Sequence, residues 1–324
     1  MRKEKQSADM TIDLTQRNSY HHGHYEGNYA FNGFDCGRYA MVSDRKVQLD
    51  ENFNRVDGKP NKFFGLEIET ECSMITDADV LTNVMKFILQ KNFPEGFFKY
   101  ESDSSLHGSS SVECITLPAT KEGIRNMYPA FKAMYDAMPL FGVSCAASGN
   151  CGMHVNISNA VFGTTKKTQD EAIRKLYTFI NRHFSLACAL VSRPEDRTCY
   201  CQQMSVTNSK NMPLDGFMSS HGVCFNLGHY SEGRIELRLV GGQRNFECFR
   251  NTMEVVFHLC AAMKRVSWDS LDDIAAVFSG CNQAVYERLT RCYRLGHIPS
   301  AAMIDIRATV TQEDLIRQGD HPPL

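Results

Sequence analysis

Phe64-Gly65-Leu66-Glu67-Ile68-Glu69-Thr70-Glu71 alternates acidic residues with apolar or β-branched ones, and this period of two constrains the fold more than any other feature. In a strand it sends Glu67, Glu69 and Glu71 to one face and Leu66, Ile68 and Thr70 to the other. The pattern recurs. Glu101 and Asp103 share a face of Phe98–Asp103; His154, Asn156 and Ser158 share one of Met153–Ser158; Arg234, Glu236 and Arg238 share one of Arg234–Leu239. Glu113 adds a carboxylate from a less regular segment, Ser111–Ile115. One such strand is explained by a wet sheet face. Several together are harder to explain that way, because like charges on neighbouring strands repel and a solvated face favours threonine, lysine and mixed signs. If these strands share one sheet, the charged face requires bound cations. Two would suffice. Clustered carboxylates with one imidazole suit Mg²⁺ or Mn²⁺ better than zinc, and such an ion beside arginine is equipment for handling phosphate charge.

Around this feature the chain divides unevenly. Residues 1–60 are rich in Asn, Gly, Tyr, His and Asp and read as an N-terminal extension with a few short strands such as 38–43. Residues 61–324 carry the regular patterns: strands at 63–71, 97–103, 111–117, 152–158, 223–228 and 234–240, and helices at 77–92, 121–138 and 168–192, the last opened by Thr168. Further helices are expected at 245–266, 269–278, 282–294 and 311–318. This predicts an α+β domain, an antiparallel sheet of about six strands with helices on one face. Met127, Phe131, Met134 and Met138 fall at helical spacing and read as core, as do the apolar positions of 245–266.

Composition limits the partners. With 35 basic and 37 acidic residues the net charge is −2, which does not advertise nucleic acid. No apolar run reaches membrane-spanning length, and none follows the charged start Met1–Gln6, so a cytoplasmic location is expected without a membrane partner. Thirteen cysteines spread over a long chain read as free thiols. Tyr20–Tyr25, holding three histidines, is a lesser metal candidate, and Cys145, Cys151, Cys199 and Cys201 match no standard zinc spacing. Arg193, Arg197 and Lys210 occupy an irregular stretch open to either a substrate loop or solvated charge.

Four pieces resemble, in order, the motifs of the amidoligase family, carboxylate–amine ligases that share the glutamine synthetase fold. They are Gly65–Glu69; Asp103–Leu106 followed by Val112–Pro118; Gly152–Asn156; and Arg234–Leu239, spanning roughly residues 63–245. The resemblance implies that Glu67, His154 and Glu236 hold the cation among the nucleotide phosphates, and that Glu69 and Glu113 hold one nearer the acceptor carboxylate. It gives Arg234 to the transferred phosphate, with Asn156 and Ser158 on the nucleotide side. Arg238 falls to the substrate carboxylate, with Asp103 and Ser105 beside it. The implied reaction needs ATP and Mg²⁺ or Mn²⁺: a carboxylate becomes an acyl phosphate, which an amine converts to an amide or isopeptide bond. Members of the family act on small amino acids, peptides, proteins or cell-wall precursors and are often encoded by phages or mobile elements.

Two departures qualify the match. Many relatives carry a histidine where this chain has Asn156, which brings no positive charge. A further acidic ligand of the acceptor-side cation has three candidates, Glu71, Glu101 and Asp103. Two rival readings remain open: an ATP-dependent phosphotransferase on the same fold, and a binding protein that kept the fold without catalysis.

Overall fold

The computed structural model describes residues 39–50, 55–101, 111–146, 151–194, 201–207, 209–214 and 222–311. Its main sheet is entirely antiparallel. The strands are β3 (Phe64–Cys72), β4 (Phe98–Glu101), β5 (Ser111–Thr116), β6 (Val143–Ser144), β7 (Met153–Ser158), β8 (Phe225–Asn226) and β9 (Arg234–Leu237). They run in the order β4-β5-β3-β7-β9-β8, with β6 also paired to β3. Sequence alternation thus identifies a mixed α+β architecture correctly, but the sheet has seven strands and not six. The cause is the length of β3. Its first half pairs with β7, from Phe64↔Ile157 to Ile68↔Met153, and its end outruns that partner. There β6 takes over through Glu71↔Ser144 and Cys72↔Val143. A two-residue strand has too little alternation to be seen in sequence.

Before the sheet, β1 (Tyr39–Val42) and β2 (Arg45–Gln48) form a hairpin. Met41 docks it: its N–H donates to Pro118 O and its carbonyl accepts from Thr120 N, both at 2.8 Å.

The helices follow local chemistry. Asp77 caps α1 (Ala78–Gln90), accepting from Asp79 N at 2.8 Å. The single helix expected over 121–138 is two, α2 (Lys121–Asn126) and α3 (Tyr128–Ala137). Pro129 sits in the first turn of α3, where its missing N–H costs nothing, whereas inside a continuous helix it would break the ladder. The helix expected to open at Thr168 begins two residues earlier, as α4 (Lys166–Arg182) capped by Thr165, with Thr168 completing the capping box. It stops at His183 (φ −107°, ψ 43°), after which α5 (Phe184–Leu190) resumes. Asn245 caps α6 (Phe246–Arg265), and then come α7 (Ile274–Phe278), α8 (Gln283–Arg294) and α9 (Ser300–Ala308). The segment expected as helix at 311–318 lies, beyond Thr311, outside the described residues.

Packing assigns the two sheet faces. Leu66, Ile68, Val112, Val155, Ile157, Ile235 and Leu237 join one core with Phe249, Met253, Val256 and Phe257 of α6. Phe64 meets Phe257 edge-on at 4.8 Å between ring centroids, and Phe131 of α3 meets Phe249 at 4.4 Å. The alternation that buries these residues under α6 turns the carboxylates to the other face.

Candidate metal centre

Strand register brings the charged residues together. Glu69 stands opposite Glu113, and Glu67 opposite His154. On β9, Glu236 faces Asn156 on one side and Asn226 of β8 on the other, while Arg234 faces Ser158. Glu101 of β4 pairs with Glu113. Residues separated by up to 171 positions thus form one polar surface, and Glu67, Glu69, Glu113, His154, Glu236, Arg234 and Arg238 are all between 1% and 8% exposed.

His154 is the hub. Its Nδ1 lies 3.0 Å from Glu67 Oε2, 3.5 Å from Glu236 Oε1 and 4.0 Å from Glu113 Oε1, and its Nε2 lies 3.4 Å from Glu69 Oε1. Two triads result, Glu67–His154–Glu236 and Glu69–Glu113–His154, each with one ligand atom per residue, all within 4.8 Å of one another. Both triads are buried and offer carboxylate oxygens with a single imidazole, the donor set of a hard divalent cation. The opposed pair Glu69–Glu113 supports the same conclusion, since two buried carboxylates directly across a ladder are unfavourable without a counter-ion.

Electrostatics record the crowding. Burial and Arg238 oppose a charge on His154, but the hydrogen bond to Glu67 and the fields of Glu69 and Glu236 outweigh them and raise its pKa. Burial likewise disfavours ionised Glu236, yet Arg238, His154, Asn226 and Arg234 hold its carboxyl well below the usual range. The contacts are short and specific. Arg238 Nη1 donates to Glu236 Oε1 at 2.7 Å, and Asn226 Nδ2 donates to Glu236 Oε2 at 2.8 Å. Asn156 donates to Glu67 Oε1 at 2.7 Å while accepting from Arg234 Nη1. Buried Arg238 Nε makes no hydrogen bond among the described residues, leaving a donor that a bound anion would satisfy.

A backbone clamp lies behind Arg238. Arg193 donates to Leu239 O and Arg238 O at 3.2 Å and to Val240 O at 2.8 Å, gripping three successive carbonyls where the chain leaves β9. Close approach here demands glycine: a Cβ on Gly241 would stand 2.3 Å from Ser192 O, and one on Gly242 1.7 Å from Cys145 O. On the other side Gly152 N donates to Glu69 Oε2 and anchors that carboxylate.

Of the residues expected from sequence, Glu67, Glu69, Glu113, His154, Glu236, Asn156, Arg234 and Arg238 converge. Ser158 shares their face, but its hydroxyl is engaged by backbone, accepting from Phe63 N at 2.9 Å and donating to Asn61 O. Asp103 and Ser105 lie outside the described residues, as do Arg197, Cys199 and the histidines of 20–25. Of the acidic candidates for an extra ligand, Glu101 pairs with Lys99, and half-buried Glu71 hydrogen-bonds the Cys151 thiol. Burial pushes the Cys145 thiol up to about 12 and Cys151 higher still, so neither supplies a thiolate nucleophile. Asn226 escaped sequence reasoning as a site residue, and Arg193, left open there between a substrate loop and solvated charge, proves to brace the backbone behind Arg238. Asn226 could have been found, since it falls one residue from apolar Phe225 in an expected strand; the role of Arg193 could not, because it sits in irregular backbone and has no periodic signal. No helix among the described residues is long and apolar enough to cross a membrane. Compared with known proteins, the chain matches no family model and no curated protein sequence.

Proposed function

We propose that the chain is an ATP- and divalent-metal-dependent carboxylate–amine ligase of the amidoligase type, built on a glutamine synthetase-like sheet. The observation that carries this reading is the pair of carboxylate triads meeting at His154, with Arg234 and Arg238 buried in the same cluster. Glu67, His154 and Glu236 would hold one Mg²⁺ or Mn²⁺, and Glu69 and Glu113 a second. Bound there, the ions would supply neutralisation of phosphate charge and Lewis-acid polarisation.

The chain's own residues provide the rest. Glu236 fixes Arg238 through Nη1 and leaves Nε as a donor for a substrate carboxylate. Arg193 holds the backbone from which Arg238 projects. Asn156 links Glu67 to Arg234, so the guanidinium assigned to the transferred phosphate is oriented by a cation ligand. Burial of the cluster lowers the local dielectric and strengthens each of these contacts.

The test is incubation with Mg·ATP and pooled carboxylates and amines, followed by mass spectrometry for products one water lighter than a reactant pair. ADP and phosphate release that needs all components, and is abolished by Glu67→Gln or Glu236→Gln, is the expected result. Phosphate transfer to a carboxylate without any amine requirement would replace the ligase reading with the phosphotransferase one. No rise in unfolding temperature with Mg·ATP would leave a protein that does not use nucleotide.

A further inference from the structure

Away from the acidic cluster, a cavity of about 340 Å³ opens between the turn that follows β7 and the helices α4 and α6. Lys62, Lys175 and Lys264 line it, with Glu171 as the one carboxylate among the described residues and Thr168 and Gly163 in its wall. Lys175 is buried at 6% exposure; its Nζ donates to Val266 O at 2.9 Å and pairs with Glu171 at 2.6 Å. Lys264 Nζ donates to Val161 O at 3.0 Å, and Lys62 stands exposed just before β3. The wall is closely built. A Cβ on Gly163 would lie 2.2 Å from Thr168 Oγ1, so the turn is pressed against the first turn of α4.

Three ammonium groups against one carboxylate, in a chain of net charge −2, form a local positive focus. The last-turn position of Lys264 in α6 suits the helix dipole and accounts for that lysine alone. It does not account for Lys62 and Lys121 nearby. Burial first, and then the fields of Lys62 and Lys121, push the Lys264 ammonium below its ordinary pKa. The carbonyls of Val266 and Val161 fix the Lys175 and Lys264 ammonium groups at the cavity wall.

We infer that the Lys62–Lys175–Lys264 cavity binds a phosphate-class oxyanion. The site is separate from the acidic cluster. Lys62 precedes Glu67 by five residues, about 17 Å of extended chain, and Ser158 fixes the backbone on either side of Lys62, at Asn61 and Phe63. The oxyanion is either free or the phosphate chain of a nucleotide.

Calorimetric titration of the whole chain with inorganic pyrophosphate, in EDTA and at low salt, tests this. EDTA removes the cations through which pyrophosphate could bind at the carboxylate cluster, and Glu236→Gln tells any remaining binding beside Arg238 from binding in the lysine cavity. Saturable one-to-one binding at millimolar pyrophosphate or below is expected. Lys62→Ala and Lys264→Met, both at exposed positions, should each weaken it about tenfold, the worth of one charge-assisted contact, and Glu236→Gln should leave it unchanged. Competition by ATP under the same conditions assigns the source to a nucleotide phosphate chain, and absence of competition assigns it to a free oxyanion; either supports the cavity. No saturable binding, equal binding in the lysine variants, or loss in Glu236→Gln would overturn the inference. None of these readouts depends on ligase activity.

Discussion

Glu69 and Glu113 face each other across the ladder with their carboxylates buried, and each is close enough to His154 to share a cation with it. Such a pair has opposite effects with and without metal. In EDTA, Glu69→Gln removes a like-charge repulsion and should raise stability by about 0.5–1 kcal/mol. With Mn²⁺ saturating the native protein, the same substitution removes a ligand and forfeits stabilisation of about 2.7 kcal/mol at a hundredfold excess over Kd. The variant should therefore unfold later than the parent in EDTA and earlier in Mn²⁺, as read by urea midpoints. The same sign in both conditions would mean that Glu69 holds no cation. Gly152 N can still donate to the glutamine carbonyl, so the anchor of this side chain survives the change.

Among the elements, α6 carries a second buried carboxylate with a different role. Glu254, 1% exposed, accepts from Arg125 Nε at 2.8 Å and Nη2 at 2.5 Å, from Tyr128 OH at 2.8 Å and from Asn282 Nδ2 at 2.8 Å. One side chain thereby ties α6 to α2, to α3 and to the residue that caps α8. Every partner is a donor, so this carboxylate is satisfied by protein alone and needs no cation. Burial opposes the charge, but Arg125, Tyr128 and Asn282 lower its pKa below the ordinary 4.5. A depressed folded-state pKa contributes stability that is complete above the unfolded value and is lost as pH falls through the folded value. Glu254→Ala should cost about 3 kcal/mol at pH 7, because it leaves Arg125 without its carboxylate. The gap to the parent should shrink only below pH 4.5, as urea midpoints from pH 7 to 3 would show; a gap constant over that range would refute the assignment. Other joints between elements were unequally visible in sequence. The break between α2 and α3 is signalled by Pro129, whereas the break at His183 has neither glycine nor proline to mark it.

Across the whole molecule, the candidate centre was legible because its residues obey the period of two. Glu67, Glu69, His154, Asn156, Arg234 and Glu236 each alternate with core residues, so burial of one set under α6 obliges the other to share a face. Register was not legible, and neither were the backbone clamp made by Arg193 and the glycine contacts at 241 and 242, which depend on where irregular backbone comes to rest. Convergence from four strands makes the centre a property of the folded chain, so a chain unfolded in urea should lose its tight Mn²⁺ binding. The two triads give the sharper prediction. With Glu236 in one triad and Glu113 in the other, paramagnetic resonance should count two Mn²⁺ on the parent and one on Glu236→Gln or Glu113→Gln, with the double variant losing both. His154→Ala should weaken chiefly the ion held with Glu67 and Glu236, because a neutral imidazole has one nitrogen to give and Nδ1 lies nearest those two carboxylates. If Glu236→Gln and Glu113→Gln abolish the same single ion and the double variant adds nothing, the four glutamates build one site around His154. Phosphate handling by a cation pair would then have no structural basis.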